Sequence, residues 1–376
     1  MKHRPSFYIG LMSGTSMDGI DAGLFRIDER RCSTAAASNI RYPPELRQAL
    51  EHASRNPEES TVNVVGRLDH RVGECFRDAA ERLIAESGVE RARIRAIGSH
   101  GQTIRHEPGE ACPFTLQIGD PNIIAAGTRI VTVADFRRRD IALGGQGAPL
   151  TPAFHQWLMS DEDEDRAVLN LGGIANLTVL PAKGGTVRGF DTGPANGLLD
   201  AWIRHVRGEP LDTGGRWAAS GTVRREILDV LLADPYFDAP PPKSTGFEHF
   251  NLAWLGQALA RVSESEPLPP EDVQSTLSAL SARTVAEAVR RHAPGTRRVL
   301  VCGGGTRNGD LMRRLRQELD PATVDTTAIA GIEPDWVEAA AFAWLAKCRL
   351  DGRPGNLPSV TGASRPAVLG AIYAAD

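Results

Sequence analysis

The sequence predicts an α/β protein of two related domains, and three observations carry that prediction. The 376 residues exceed what one hydrophobic core usually serves, so two domains of roughly 100–200 residues are expected. Strand-like apolar runs alternate with helical periodicity along most of the chain. Two hairpins of the form apolar run, glycine turn, apolar run stand in successive halves, at 8–25 and 167–180. That repetition points to a duplicated α/β core rather than a solenoid.

The elements follow in order. Tyr8-Ile-Gly10-Leu-Met-Ser-Gly14-Thr-Ser-Met-Asp18-Gly-Ile-Asp21-Ala-Gly-Leu-Phe25 reads as a hairpin whose tip holds hydroxyls, small backbones and two carboxylates. Val62, Val65, Leu68, Val72, Phe76, Ala79 and Leu83 recur at helical spacing and predict one amphipathic helix ending near Gly88. Arg95-Ala-Ile-Gly-Ser is a strand expected to run into a polar loop at His100-Gly-Gln-Thr103, and 127–135 is expected to be another strand. The acidic run 160–165 reads as a solvated loop. Val187-Arg-Gly-Phe190 is a strand that should end at Asp191, before a helix with Leu198, Leu199, Trp202 and Ile203 on one face. Asp238-Ala-Pro240-Pro-Pro242-Lys243 is a loop or lid candidate, because proline continues neither element. Arg298 to Cys302 is a buried strand running into Gly303-Gly304-Gly305-Thr306-Arg-Asn308, with a helix from about Asp310. A last helix holds Trp336, Ala339, Phe342 and Leu345.

Composition narrows the function. Hydrophobic and charged contents of 41% and 24% are those of an ordinary soluble protein, and a net charge of −4 argues against a nucleic-acid partner. Lysine occurs only at Lys2, Lys183, Lys243 and Lys347, a bias attributed to base composition. Cys32, Cys75, Cys112, Cys302 and Cys348 are scattered without a C-x-x-C pair, the pattern of reduced thiols. No apolar run is long enough to span a membrane and the N-terminus lacks a signal-peptide core, so a cytoplasmic location is expected.

Three glycine-rich tips could meet a ligand: 10–21, 170–176 and 302–309. None is a P-loop, since G-x-x-x-x-G-K-[ST] is absent, and the triple glycine lacks the spacing of a dinucleotide fingerprint. Glycine nevertheless lets a backbone approach a polyphosphate, hydroxyls and N–H groups donate to its oxygens, and an aspartate can hold Mg²⁺ or its waters. Asp191 could be a general base at the strand-to-helix crossover or the N-cap of the helix that follows. Asn196 or Thr192 could serve as that cap equally well.

The order of hairpin, hairpin and G-G-G-T-x-N resembles the actin, hexokinase and Hsp70 superfamily, in which two related (ribonuclease H-like) domains flank an ATP cleft. More narrowly, M-S-G-T-S-M-D-G-I-D at 12–21, S-H-G-Q-T at 99–103, L-N-L-G-G-I-A-N at 169–176, G-F-D-T-G-P-A-N at 189–196 and C-G-G-G-T-R-N at 302–308 resemble the anhydro-N-acetylmuramic acid kinase family. The likeness spans nearly the whole chain, with Ala195 where the family carries glycine.

The resemblance implies ATP with Mg²⁺, and 1,6-anhydro-N-acetylmuramic acid as substrate. Asp191 would take a proton from the water that attacks the anomeric carbon. As the anhydro ring opens, O6 would accept the γ-phosphoryl group, giving N-acetylmuramic acid 6-phosphate and ADP. The phosphoryl donor then acts on the oxygen that a glycosidase must protonate with a second carboxylic acid. Gly14, Thr15, Ser16, Met17, Asp18, Gly19, Ile20 and Asp21 would cradle the phosphates, with Asp18 either holding Mg²⁺ through water or closing the turn. Gly172, Gly173 and Asn176 would meet the phosphates from the second domain, and Gly303, Gly304, Gly305 and Asn308 would lie against adenosine. His100, Gln102, Thr103, Arg137 and Glu338 would contact the sugar, Arg137 or a neighbour pairing with the lactyl carboxylate. A first domain of 1–135 plus 337–376, a second of 136–336, and a homodimer complete the expectation. The rivals are a kinase of the same fold acting on an ordinary sugar hydroxyl, and a nucleotide-switched binding protein. The latter would require an interaction appendage that this sequence lacks.

Overall fold

The computed structural model describes residues 6–262 and 268–375. It divides into two compact units, unit 1 with Met1–Leu158 and Ala330–Asp376 and unit 2 with Met159–Ile329.

In unit 1, β1 (Ser6–Ser13), β2 (Gly19–Ile27) and β3 (Cys32–Arg41) form an antiparallel meander. Strand β4 (Ile94–Glu107) joins β1 in parallel, and β5 (Phe114–Ile118) folds back on β4. A short β6 (Thr132–Ala134) adds parallel to β4. Helices α1 (Pro44–Arg55) and α2 (Val62–Ser87) follow the meander. Thr61 caps α2 by accepting from the Val64 N–H, and Gly88 ends it in the left-handed conformation, as its sequence predicts. Leu68, Val72, Phe76, Ala79 and Leu83 on α2 are buried with Ile9, Leu11 and Ile97 of the sheet. Each of these side chains larger than alanine contributes about 1.5–3 kcal/mol.

Two expectations are corrected here. Residues 127–135 are not one strand: α3 (Pro121–Thr128) runs through Thr128, and only Thr132–Ala134 is extended. Asp120 accepts from the Asn122 N–H and Pro121 occupies the first turn, a helix-start signal that outweighs the β-branched run behind it. Residues 99–103 are not a loop, because β4 continues to Glu107. Gly101, at φ 75°, and the pairing with β5 carry the strand onward.

Helix α4 (Thr151–Met159) reaches the end of this stretch. Unit 2 repeats the sheet plan. Strands β7 (Arg166–Leu171), β8 (Ile174–Leu180) and β9 (Arg188–Pro194) form a meander. After α5 (Asn196–Arg207) and α6 (Pro270–His292), β10 (Arg298–Cys302) joins β7 in parallel. Helix α7 (Gly309–Glu318) and β11 (Thr323–Thr326), parallel to β10, complete the sheet. Both sheets therefore have a three-stranded meander with parallel strands added beside its first strand. This is the duplicated α/β core that the two hairpins predict.

The chain then returns to unit 1 with α8 (Val337–Leu350) and β12 (Ala371–Tyr373), which pairs with β6. Helix α8 packs on β1 and β4 at the two positions where no side chain intervenes. A Cβ on Gly10 would lie 1.7 Å from the Ala339 carbonyl oxygen, and one on Gly98 2.0 Å from that of Phe342. The unit boundaries fall at 158/159 and 329/330 rather than 135/136 and 336/337. Residues 136–158 stay with unit 1 because Trp157 stacks on Trp344 of α8, and buried Asp140 accepts hydrogen bonds from Asn356 and Thr361.

Candidate active site

In unit 1 the β1–β2 turn is built from both ends. The Met17 N–H donates to the Gly14 carbonyl, and Met17 takes a positive φ of 51°, unusual for a residue with a side chain. The Ser13 hydroxyl bridges the Gly19 carbonyl and Gln102 Oε1, while Gln102 Nε2 donates to the Gly14 carbonyl at 3.2 Å. Thr15, Ser16 and Asp18 are left exposed at the tip, with the Ser16 hydroxyl donating to Asp18 Oδ1 at 2.7 Å. Gly19, Ile20 and Asp21 belong instead to β2. The Ile20 side chain lies in the core, and a Cβ on Gly19 would meet the Ile40 carbonyl oxygen at 2.5 Å. The open part of the turn is thus 14–18.

The sugar-contact candidates of unit 1 cluster on β4, the segment after β6, and α8. Arg137 donates to His100 Nε2 from both Nε, at 3.1 Å, and Nη2, at 2.9 Å. Nε2 is therefore an acceptor and the imidazole is neutral. Burial and then Arg137 hold its pKa well below the usual histidine value. Arg137 itself is lowered to about 10 by burial, opposed by Glu338 and Asp140. Burial, with Asp21 adding, raises the Glu338 carboxyl, and Arg137 opposes that shift. Asp140 fixes the Arg137 segment by accepting the Gly147 N–H at 2.8 Å, and Arg137 Nη1 donates to the Gly147 carbonyl. Thr103 Oγ1 accepts from Gln117. A polar cavity of about 120 Å³ beside His100 is lined by Ser99, Gln117, Asp135 and Arg138.

In unit 2, Asp191 lies within β9, opposite Asn176 at an irregularity in the β8 pairing, not at the strand end that its sequence suggests. It does not cap α5, whose N-cap is Ala195 without a side-chain bond. One segment holds it. The Asp191 N–H donates to the Lys243 carbonyl, the Tyr236 hydroxyl donates to the Asp191 carbonyl at 2.9 Å, and the Thr245 N–H donates to Oδ2 at 3.0 Å. Burial pushes the Asp191 carboxyl up to about 6, opposed by the Thr245 N–H and reinforced by Glu248. The loop or lid segment expected at 238–243 thus meets the Asp191 backbone through Lys243, and its continuation at Thr245 meets the carboxylate. Tyr236, Thr245 and Glu248 carry no local signal that would have marked them from sequence.

The other glycine tips are partly taken up by the fold. The Gly172 carbonyl accepts the Asn196 N–H, and that of Gly173 accepts the N–H groups of Ala195 and Gly197. A Cβ on Gly303 would meet Asn170 Oδ1 at 2.4 Å and one on Gly305 would meet Leu171 Cβ at 2.5 Å, whereas Gly304 faces open space. Asn308 is the N-cap of α7, accepting the Leu311 N–H at 3.0 Å. Its amide packs on a further glycine turn, Gly214-Gly215, whose link to Asn308 has no local signal in the sequence. A Cβ on Gly215 would meet Asn308 Oδ1 at 2.0 Å.

A model of the anhydro-N-acetylmuramic acid kinase family matches residues 6–375. The chain belongs to that family. It is 57% identical to an anhydro-N-acetylmuramic acid kinase of Xanthomonas campestris pv. campestris over 99% of this chain and 98% of that protein. To the protein of the same name from Coxiella burnetii it is 51% identical over 97% of each chain. Among solved structures, the activator of 2-hydroxyisocaproyl-CoA dehydratase from Clostridium difficile with bound ADPNP is similar at a TM-score of 0.47 and 13% identity. It covers 90% of this chain and 92% of that one. That likeness is too low to bear on function. Family membership agrees with the five sequence strings, all of which lie inside the matched residues.

Proposed function

We propose that the protein is an ATP-dependent kinase that opens the 1,6-anhydro ring of 1,6-anhydro-N-acetylmuramic acid and phosphorylates O6. The observation that carries the reading is the family match across residues 6–375. The chemistry balances with one base. Water adds to C1 and gives its proton to Asp191, the C1–O6 bond breaks, and the O6 electron pair takes the γ-phosphoryl group as ADP leaves. A carboxyl with a pKa near 6 is mostly ionised at neutral pH yet basic enough to accept that proton, and this supports Asp191 in the role.

For the nucleotide, the exposed groups of 14–18 suit the phosphates by donating N–H and O–H bonds. Gly172, Gly173 and Asn176 are assigned to the phosphates, and Gly304, with Gly303, Gly305 and Asn308 framing it, to adenosine. Among the described residues no three His, Cys, Asp or Glu side chains converge on a metal position. A Mg²⁺ bound mainly by phosphate oxygens and water, with Asp18 as its protein partner, fits that donor set. Such an ion would neutralise developing phosphate charge. His100, Gln102, Thr103, Arg137 and Glu338 are assigned to the sugar. Since Arg137 occupies His100 Nε2, the imidazole would reach the sugar only through Nδ1 or its ring edge.

The product then enters amino-sugar metabolism in peptidoglycan recycling. Among the described residues no helix is long and apolar enough to cross a membrane. A cytoplasmic homodimer is part of the same proposal, checked by light scattering. The deciding experiment combines ATP, Mg²⁺ and the anhydro sugar in ¹⁸O-labelled water. A phosphorylated product carrying solvent oxygen at C1 is expected. A phosphorylated product that keeps its anhydro bridge would mean an ordinary hydroxyl kinase, and the absence of any transfer would overturn the reading.

A further inference from the structure

We propose that Lys243 is a positioning residue for this reaction, its ammonium closing the 236–245 strap that fixes Asp191; the proposal rests on Asp191 being the base. Besides its place in the β8–β9 ladder, Asp191 is bonded three times by this strap: its carboxylate accepts from Thr245, its carbonyl accepts from Tyr236, and its N–H donates to Lys243. The Thr245 N–H occupies Oδ2, which leaves Oδ1 to accept a proton. The sheet thus fixes the backbone of the base, and the strap fixes its carboxylate.

Lys243 ties the strap to itself. Its ammonium donates to the Tyr236 carbonyl at 2.9 Å and the Phe237 carbonyl at 3.2 Å, and stands 4.6 Å from the centre of the Tyr236 ring. Tyr236 is the residue whose hydroxyl grips the Asp191 carbonyl. One cation thus joins the two ends of a loop that contains Pro240, Pro241 and Pro242, whose prolines offer no N–H for a backbone ladder. A compact ammonium with three donors can serve two carbonyls and a ring face together, whereas a planar guanidinium presents a wider fork.

The surroundings are mixed. Lys243 is faced by Arg291, His292 and Asp238, the last paired with Arg291 at 3.0 Å. Asp191 is faced by Glu248 and Tyr236. Behind Thr192 a water-sized cavity of about 10 Å³ is lined by Lys243, Thr284, Glu287 and Arg291. Arg291 also donates to the Phe237 carbonyl, at 3.3 Å, so the contact that loss of the lysine removes outright is that to the Tyr236 carbonyl.

The test is steady-state kinetics of the full chain with ATP, Mg²⁺ and the anhydro sugar across pH 5–9. Lys243→Met should lower kcat at least tenfold with KM for ATP within twofold of the parent. The acid limb of kcat/KM should move to higher pH, because the Thr245 N–H is no longer held on the carboxylate. Lys243→Arg should fail to restore the parent profile. Tyr236→Phe, a milder change that tests the same linkage should Lys243→Met misfold, should lower kcat in the same direction. The double variant should be no worse than Lys243→Met alone. A parent-like kcat and acid limb in Lys243→Met, with only a lower Tm, would overturn the proposal and leave Lys243 a structural residue. Turnover retained by Asp191→Asn would instead strike the base assignment on which the proposal stands.

Discussion

The first glycine turn of unit 1 and the matching turn of unit 2 occupy the same place in the same sheet plan, yet they are satisfied differently. At 14–18 the supporting bonds come from beneath, through Ser13 and Gln102, and the tip hydroxyls and Asp18 stay exposed. At 172–173 the carbonyls are consumed by the N–H groups of 195–197, and the Phe247 ring lies over Gly173. The first turn leaves its hydroxyls and Asp18 open to solvent. The second commits its carbonyls to the backbone between β9, which carries Asp191, and α5. Duplication supplied the scaffold twice, while the hydrogen-bond partners decide what each copy can do.

The largest expected effect lies on the unit 2 side. Asp191→Asn should lower turnover by roughly 10²–10⁴-fold, the usual worth of a positioned base, while leaving ATP binding by calorimetry near the parent value. The same substitution should raise Tm. Because the folded carboxyl titrates near 6 rather than 3.8, the native state holds the proton more tightly, and ionising it at neutral pH costs stability. That cost is about 3 kcal/mol at most, present above pH 6 and relieved as pH falls toward 4. An active Asn variant would remove the functional half of the comparison.

The pH profile is the next effect. The kcat/KM of the parent should fall on the acid side with a midpoint near pH 6, since protonated Asp191 cannot accept the water proton. A midpoint near 4 would mean a base in a more solvated setting.

The paired glycines sharpen the comparison directly. Gly173→Ala would place its methyl 2.6 Å from the Phe247 ring and should cost about 1 kcal/mol in urea unfolding as the half-exposed ring swings aside. Gly14→Ala meets nothing closer than Ser16 Oγ at 3.9 Å, so its stability should match the parent while its KM for ATP rises several-fold. Equal stability losses at both positions would end the distinction between an open turn and a buttressing one.

The smallest effect is at the third tip. Asn308→Ala should destabilise by about 1 kcal/mol through loss of the α7 cap, read by denaturant midpoint, with a modest change in ATP affinity.

Local signals were legible and distant ones were not. The hairpins, the helix from Val62 to its Gly88 stop and the turn from Gly303 into α7 follow from patterns within a few residues of themselves. Helix α6 has no legible signal because it is buried around much of its circumference, with Ser275, Thr276, Ser278 and Ser281 inside, so it shows no single apolar stripe. The extension of β4 through His100 and Gln102 depended on a partner strand more than ten residues on. The Asp191 strap depended on a segment about fifty residues away.

By itself, then, the chain determined the two-fold α/β plan, the family and the identity of the carboxylate proposed as base, because glycine turns, alternation and short motifs are written in neighbouring residues. Only the tertiary structure decided that Gly10 and Gly98 admit α8, that Asp140 sets Arg137 on His100, and that Tyr236, Lys243 and Thr245 hold Asp191. Those contacts join residues far apart in sequence. Their geometry, and the burial that raises the Asp191 carboxyl, exist only once the intervening chain has folded.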